Sequence, residues 1–121
     1  MLTLPIKKKW FDMILSGEKK EEYREITPYY MSRLSNLFCV WTKNAEYHSE
    51  NMRRFLRSEN AKKNITQEIM FRNGYSKNSP SFTAKCTLSV GQGKEEWGAE
   101  TGKEYFVLTV QEIIPGGTGK G

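Results

Sequence analysis

The sequence predicts an α+β domain, a small β-barrel of about five to six strands with two to three flanking helices. Three observations lead there. Apolar residues alternate with period two along Phe82–Val90, as they do in strands with one covered face, and Tyr105–Ile114 is a second, stronger strand run. A helical apolar stripe closed by Gly17 stands near the start. Six Phe, six Tyr and three Trp in 121 residues supply enough core anchors for one domain without disulfides.

In chain order, Met1–Leu4 is short and apolar and reads as a first strand. Pro5 can open a helix, because its missing N–H costs little there. Ile6, Trp10, Met13 and Ile14 share one face, and the helix covers about 5–16. Glu18–Glu25 is charged and of poor strand propensity. Read as a strand, it sets Lys20, Glu22 and Arg24 on one face and Lys19, Glu21 and Tyr23 on the other.

Thr27-Pro28 caps and opens a second helix through about Leu34. Leu37–Trp41 reads as a buried strand. Residues 43–64 turn polar, with Met52, Phe55 and Leu56 striping a surface helix or insertion that also carries Arg53, Arg54 and Arg57. Ile65–Arg72 is a strand closed by the turn pair Asn73-Gly74. The Phe82–Val90 strand places Ala84, Cys86, Leu88 and Val90 on one face. A glycine-rich loop over 91–103 holds Trp97, and Tyr105–Ile114 is the strongest strand. One domain over 1–114 and a flexible tail over 115–121 follow from this order.

Nineteen Lys and Arg against fourteen Asp and Glu leave a formal charge of +5. A basic balance favours phosphate contact through counterion release. No apolar run approaches bilayer length and no leader-type apolar region is present, so the expected setting is the cytoplasm without a membrane partner. Cys39 and Cys86 lack metal-ligand spacing and His48 is the only histidine, so no metal and no cofactor is expected. Two free thiols in a reducing compartment are the simpler reading of the cysteines, with a single disulfide left open. The Gly116–Gly121 run lacks the spacing and the following helix that a phosphate loop needs.

The run Gly17-Glu18-Lys19-Lys20-Glu21-Glu22-Tyr23-Arg24 fits the pattern Gly-x-Lys-x-x-Glu-x-Arg, with Gly17, Lys19, Glu22 and Arg24 in the four fixed places. It follows a helix that ends at glycine. Downstream, Glu96-Trp97-Gly98-Ala99 and Tyr105-Phe106-Val107-Leu108 add a second match. On these residues the chain resembles the ASCH (activating signal cointegrator homology) domain of the PUA-like superfamily, including bacterial and phage members, over about 1–113. The resemblance implies a PUA-like barrel with a cleft beside the signature strand, and RNA or a nucleotide as partner. It also brings hydrolytic relatives into view, nucleases and an amidohydrolase branch acting on acetylated cytidine. That branch carries a Thr nucleophile where this chain has Glu22.

Glu22 and Arg24 fall on one strand face, where the pair can hold itself rigid and present donors and acceptors to a base or phosphate. Lys19 joins them only if the chain bends after Gly17. Lys8 and Lys9, with Lys7, form a candidate phosphate patch at a helix start, where the dipole disfavours cations. Trp97, and likewise Tyr29 and Tyr30, could stack on a base or fold over the barrel end. The same charges also fit a solvated strand with incidental ion pairs. The expectation is therefore a binding module built on Lys19, Glu22, Arg24, Lys8, Lys9 and Trp97. The alternatives are a hydrolase on RNA or a modified nucleoside with Glu22 as base and Lys19 or Arg24 stabilising charge, and a protein-interaction accessory domain using 43–64.

Overall fold

The computed structural model describes residues 1–38 and 65–115. The expected insertion over 43–64, its Arg53, Arg54 and Arg57, Cys39, His48 and most of the tail lie outside the described residues.

The described chain is α+β. Five strands, β1 (Leu2–Pro5), β2 (Glu21–Arg24), β3 (Gln67–Arg72), β4 (Ser81–Gln92) and β5 (Glu104–Ile113), form one sheet in the order β1-β3-β4-β5-β2. The sheet curls into a half-barrel, and two helices, α1 (Lys8–Ser16) and α2 (Pro28–Phe38), accompany it. β1 runs parallel to β3, and every other pairing is antiparallel.

Alternation explains the long strands. Phe82, Ala84, Cys86, Leu88 and Val90 of β4 all enter the core, joined by Ile69 and Phe71 of β3 and by Phe106 and Leu108 of β5. A register shift between Lys85 and Cys86 changes the pairing on β5 from Val110 to Glu112 and Ile113. The extra residue lets both Val110 and Ile113 pack against the core, which strict alternation forbids.

Three local expectations change. Pro5 closes β1, where it pairs with Arg72, instead of opening a helix. Proline lacks a donor N–H, and β1 is an edge strand that needs none on its free side. Helix α1 starts at Lys8, with extended Lys7 before it, and buries Phe11 and Ile14, while Trp10 is only half-buried. Leu37 and Phe38 end α2 rather than begin a strand, because Leu34, Leu37 and Phe38 continue its stripe at helical spacing. The remainder of that expected strand, 39–41, lies outside the described residues.

Other punctuation is as read. Gly17 adopts φ 86° and donates its N–H to Ile14 O, the left-handed stop that favours glycine. Thr27 Oγ1 accepts from the Tyr30 N–H at 3.3 Å, capping α2. No helix among the described residues is long and apolar enough to cross a membrane.

Candidate functional site

The chain does bend after Gly17. The Lys19 N–H donates back to Met13 O, and regular strand begins only at Glu21. The bend swings Lys19 toward Glu22 instead of away from it. Its side chain is 1% exposed, and its ammonium donates to Glu21 O at 2.6 Å and Trp97 O at 2.8 Å and sits 3.2 Å from Glu22 Oε1. All three ammonium donors are thereby directed at oxygen, as burial of a cation requires. The rings of Trp10 and Tyr23 lie on either side, with centroids 5.0 and 4.9 Å away. Burial lowers the Lys19 pKa below its ordinary value, opposed by the neighbouring Glu22 carboxylate.

Glu22 is buried as well, at 7% exposure, and pairs across the sheet with Leu108. Its second oxygen, Oε2, accepts from Arg24 Nη2 at 2.7 Å. The carboxylate thus stands between two cations, one on each oxygen. Arg24 Nη2 also donates to Pro5 O at 3.0 Å, and Nη1 donates to the Tyr30 hydroxyl at 3.1 Å. The buried Nε finds no partner among the described residues. The expected juxtaposition of Lys19, Glu22 and Arg24 is therefore present, and each side chain is locked by its neighbours.

Glu22 and Arg24 form part of the wall of a cleft of about 520 Å³. Trp10, Tyr23, Tyr30, Trp97 and Tyr105 supply aromatic lining, and Lys7 stands at its edge, exposed. That volume lies in the range of small-ligand sites. The wall carries Glu25 and Glu100 too, and both approach Lys103, at 3.0 and 3.5 Å. The charge of the cleft is mixed.

Trp97 closes a single helical turn, Glu95–Trp97, whose carbonyl is held by Lys19. Gly98 follows at φ 102°, and a Cβ there would lie 3.1 Å from Trp10 Cζ2. Glycine lets the turn press against the Trp10 wall. Lys94 Nζ lies 4.5 Å from the Trp97 ring centroid. Tyr23 donates to Glu21 Oε1 at 2.7 Å and accepts from the Lys94 N–H at 3.0 Å, tying β2 to the same turn. Burial, together with the bond to Glu21, raises its pKa.

Lys8 and Lys9 are not part of the cleft wall. Lys8 pairs with Asp12 at 2.7 Å on the exposed side of α1, and Lys9 lies 4.7 Å from the Trp10 ring centroid. Lys7 is the lysine of that run that reaches the cleft edge. Helical spacing alone sets Trp10 on the core face of α1, and nothing local to Tyr105 marks it as part of a site. Among the described residues no cluster of His, Cys, Asp and Glu suits a metal ion.

Comparison with protein-family models, curated proteins and solved structures finds no match to this chain.

Proposed function

We propose that the protein is an ASCH-type, PUA-like module that binds RNA or a nucleotide in this cleft. The observation that carries the reading is the Glu22 carboxylate, fixed by Lys19 and Arg24 in the wall of an aromatic hollow of small-ligand volume. A carboxylate has about four acceptor positions. Two face cations here, which leaves acceptor capacity for ligand N–H groups such as a base amino group. Trp10, Tyr30 and Trp97 offer flat surfaces for a base. Lys7 offers an exposed cation for a phosphate, and the mixed charge of the remaining wall suits a base better than a chain of phosphates.

Binding is favoured over hydrolysis by the state of Glu22. A general base takes up a proton during turnover and gives up the charge that holds its cationic partners. Both Glu22 oxygens already accept from cations, which suits a fixed acceptor.

The test is titration of the protein with short single-stranded RNA and with nucleoside monophosphates across a salt series, with product analysis of the same mixtures. Saturable binding that weakens with salt, and with Glu22→Gln, is expected. Lys7→Gln should reduce the salt slope by about one. No binding at low salt, or affinity unmoved by Glu22→Gln, would overturn the proposal. Turnover of RNA or acetylated cytidine that is lost in Glu22→Gln would instead favour the hydrolase.

A further inference from the structure

We infer that Tyr29 and Arg33 form a second base-stacking subsite on α2, beside the cleft, so that the ligand is a single-stranded oligonucleotide rather than an isolated nucleotide. This rests on the reading of the cleft given above.

Tyr29 is 55% exposed, although it sits in the first turn of a helix with a covered apolar stripe. The Arg33 guanidinium lies only 3.6 Å from the centre of its ring. Arg33 Nη1 is held there by donating to Tyr29 O at 3.4 Å. The ring meets Tyr30 edge-on, with centroids 4.9 Å apart and planes at 88°. Tyr30 lines the cleft and accepts the hydrogen bond from Arg24. Contacts therefore run unbroken from the cleft wall to the surface through Arg24, Tyr30, Tyr29 and Arg33.

A guanidinium laid on an aromatic ring is a planar, cationic platform. A base can stack on the open part of the ring or on the guanidinium plane. The charge pattern gives the strand a direction. Between Thr27 and Phe38, Arg33 is the only charged residue, so α2 itself contributes a cation and no carboxylate. The wall that includes Glu25 and Glu100 carries anions. A phosphodiester leaving the cleft avoids that wall and crosses α2, where Tyr29 lies one side chain beyond Tyr30.

The experiment compares ligand lengths. The unchanged protein and Tyr29→Ala are titrated with nucleoside monophosphates of all four bases and with mixed-sequence trinucleotides of RNA and of DNA. The unchanged protein should bind a trinucleotide more tightly than any monophosphate. Tyr29→Ala should lose about tenfold in trinucleotide affinity while keeping its monophosphate affinity. Tyr29 is exposed, so its variant keeps the fold, which its thermal midpoint checks. The inference fails if monophosphates bind as tightly as trinucleotides, or if Tyr29→Ala binds trinucleotides as the unchanged protein does. If neither length binds, the cleft reading itself falls and takes the subsite with it. The RNA and DNA arms identify which sugar the platform accepts.

Discussion

Arg24 Nη2 donates at 3.0 Å to the carbonyl of Pro5, linking the two edge strands of the open sheet. β2 and β1 lie at opposite ends of the strand order, so this contact, with the Tyr30 hydroxyl beside it, spans an opening that no backbone ladder closes among the described residues. The same guanidinium fixes Glu22. One side chain thus ties sheet edges, helix and site together.

Arg24→Met should therefore destabilise the fold by about 3 kcal/mol, since it leaves Glu22 with one cation and Pro5 without its donor. Arg24→Lys should recover little of this, because an ammonium cannot reach three acceptors in a planar fork. Urea midpoints at neutral pH check both. Equal stability of Arg24→Met and the unchanged protein would show that the link across the opening contributes nothing.

Lys19→Met keeps the apolar stem and removes the ammonium that holds Trp97 O and Glu22. A loss of about 3 kcal/mol is expected, with a shift in tryptophan fluorescence as the Trp97 turn loosens. The pH dependence provides a separate signature. The native Lys19 pKa is lowered, so between that value and 10.5 the unfolded chain holds a proton that the native state lacks. Stability from this group therefore rises with pH across that window. The gap between the unchanged protein and Lys19→Met should widen as pH rises, and a gap that narrows would contradict the burial of the charge.

Cys86 behaves oppositely. It is a free thiol in the core, and burial pushes its pKa up to about 12 from 9.0. Above pH 9 the unfolded thiol loses its proton first, so stability present below pH 9 falls as pH climbs toward 12. In a Cys39→Ser background, Cys86→Ala should flatten this alkaline fall, read as denaturant midpoints from pH 8 to 11. In the native state Cys86 should also resist thiol reagents at neutral pH.

Gly98→Ala should cost about 1–3 kcal/mol, because φ 102° is strained for alanine and the added Cβ meets Trp10 at 3.1 Å. Ligand affinity should fall along with stability, since the displaced ring belongs to the cleft wall. Thermal midpoint and binding together test it. Unchanged affinity would remove Trp10 from the site.

β4, through its alternation, and β5, through its apolar run, are legible in the residues, as are the stop at Gly17 and the shared face of Glu22 and Arg24. Leu37 and Phe38 are not, because a short apolar run fits a buried strand as well as the last turn of a helix. Pro5 was misplaced for a related reason. Proline suits both a helix start and an edge strand, and only the pairing with Arg72 decides. The recruitment of Lys19 depended on a bend that alternation forbids, and the aromatic wall draws Trp10, Tyr30 and Tyr105 from three separate elements. Contacts made that far apart in sequence leave no local trace.

β2 pairs with β5 in the register Glu22 to Leu108, and β1 with β3 in the register Leu4 to Phe71. As the chain leaves the ribosome, both early strands emerge long before the segments that receive them. Until then the charged stretch after Gly17 has no ladder to join, and its composition inclines it to coil as a helix. Each closure joins segments far apart in the chain, and such pairing costs loop entropy before its contacts repay it. A nascent chain halted before Glu104 holds every cation and carboxylate of the Gly17–Arg24 run yet has no pocket to offer a ligand.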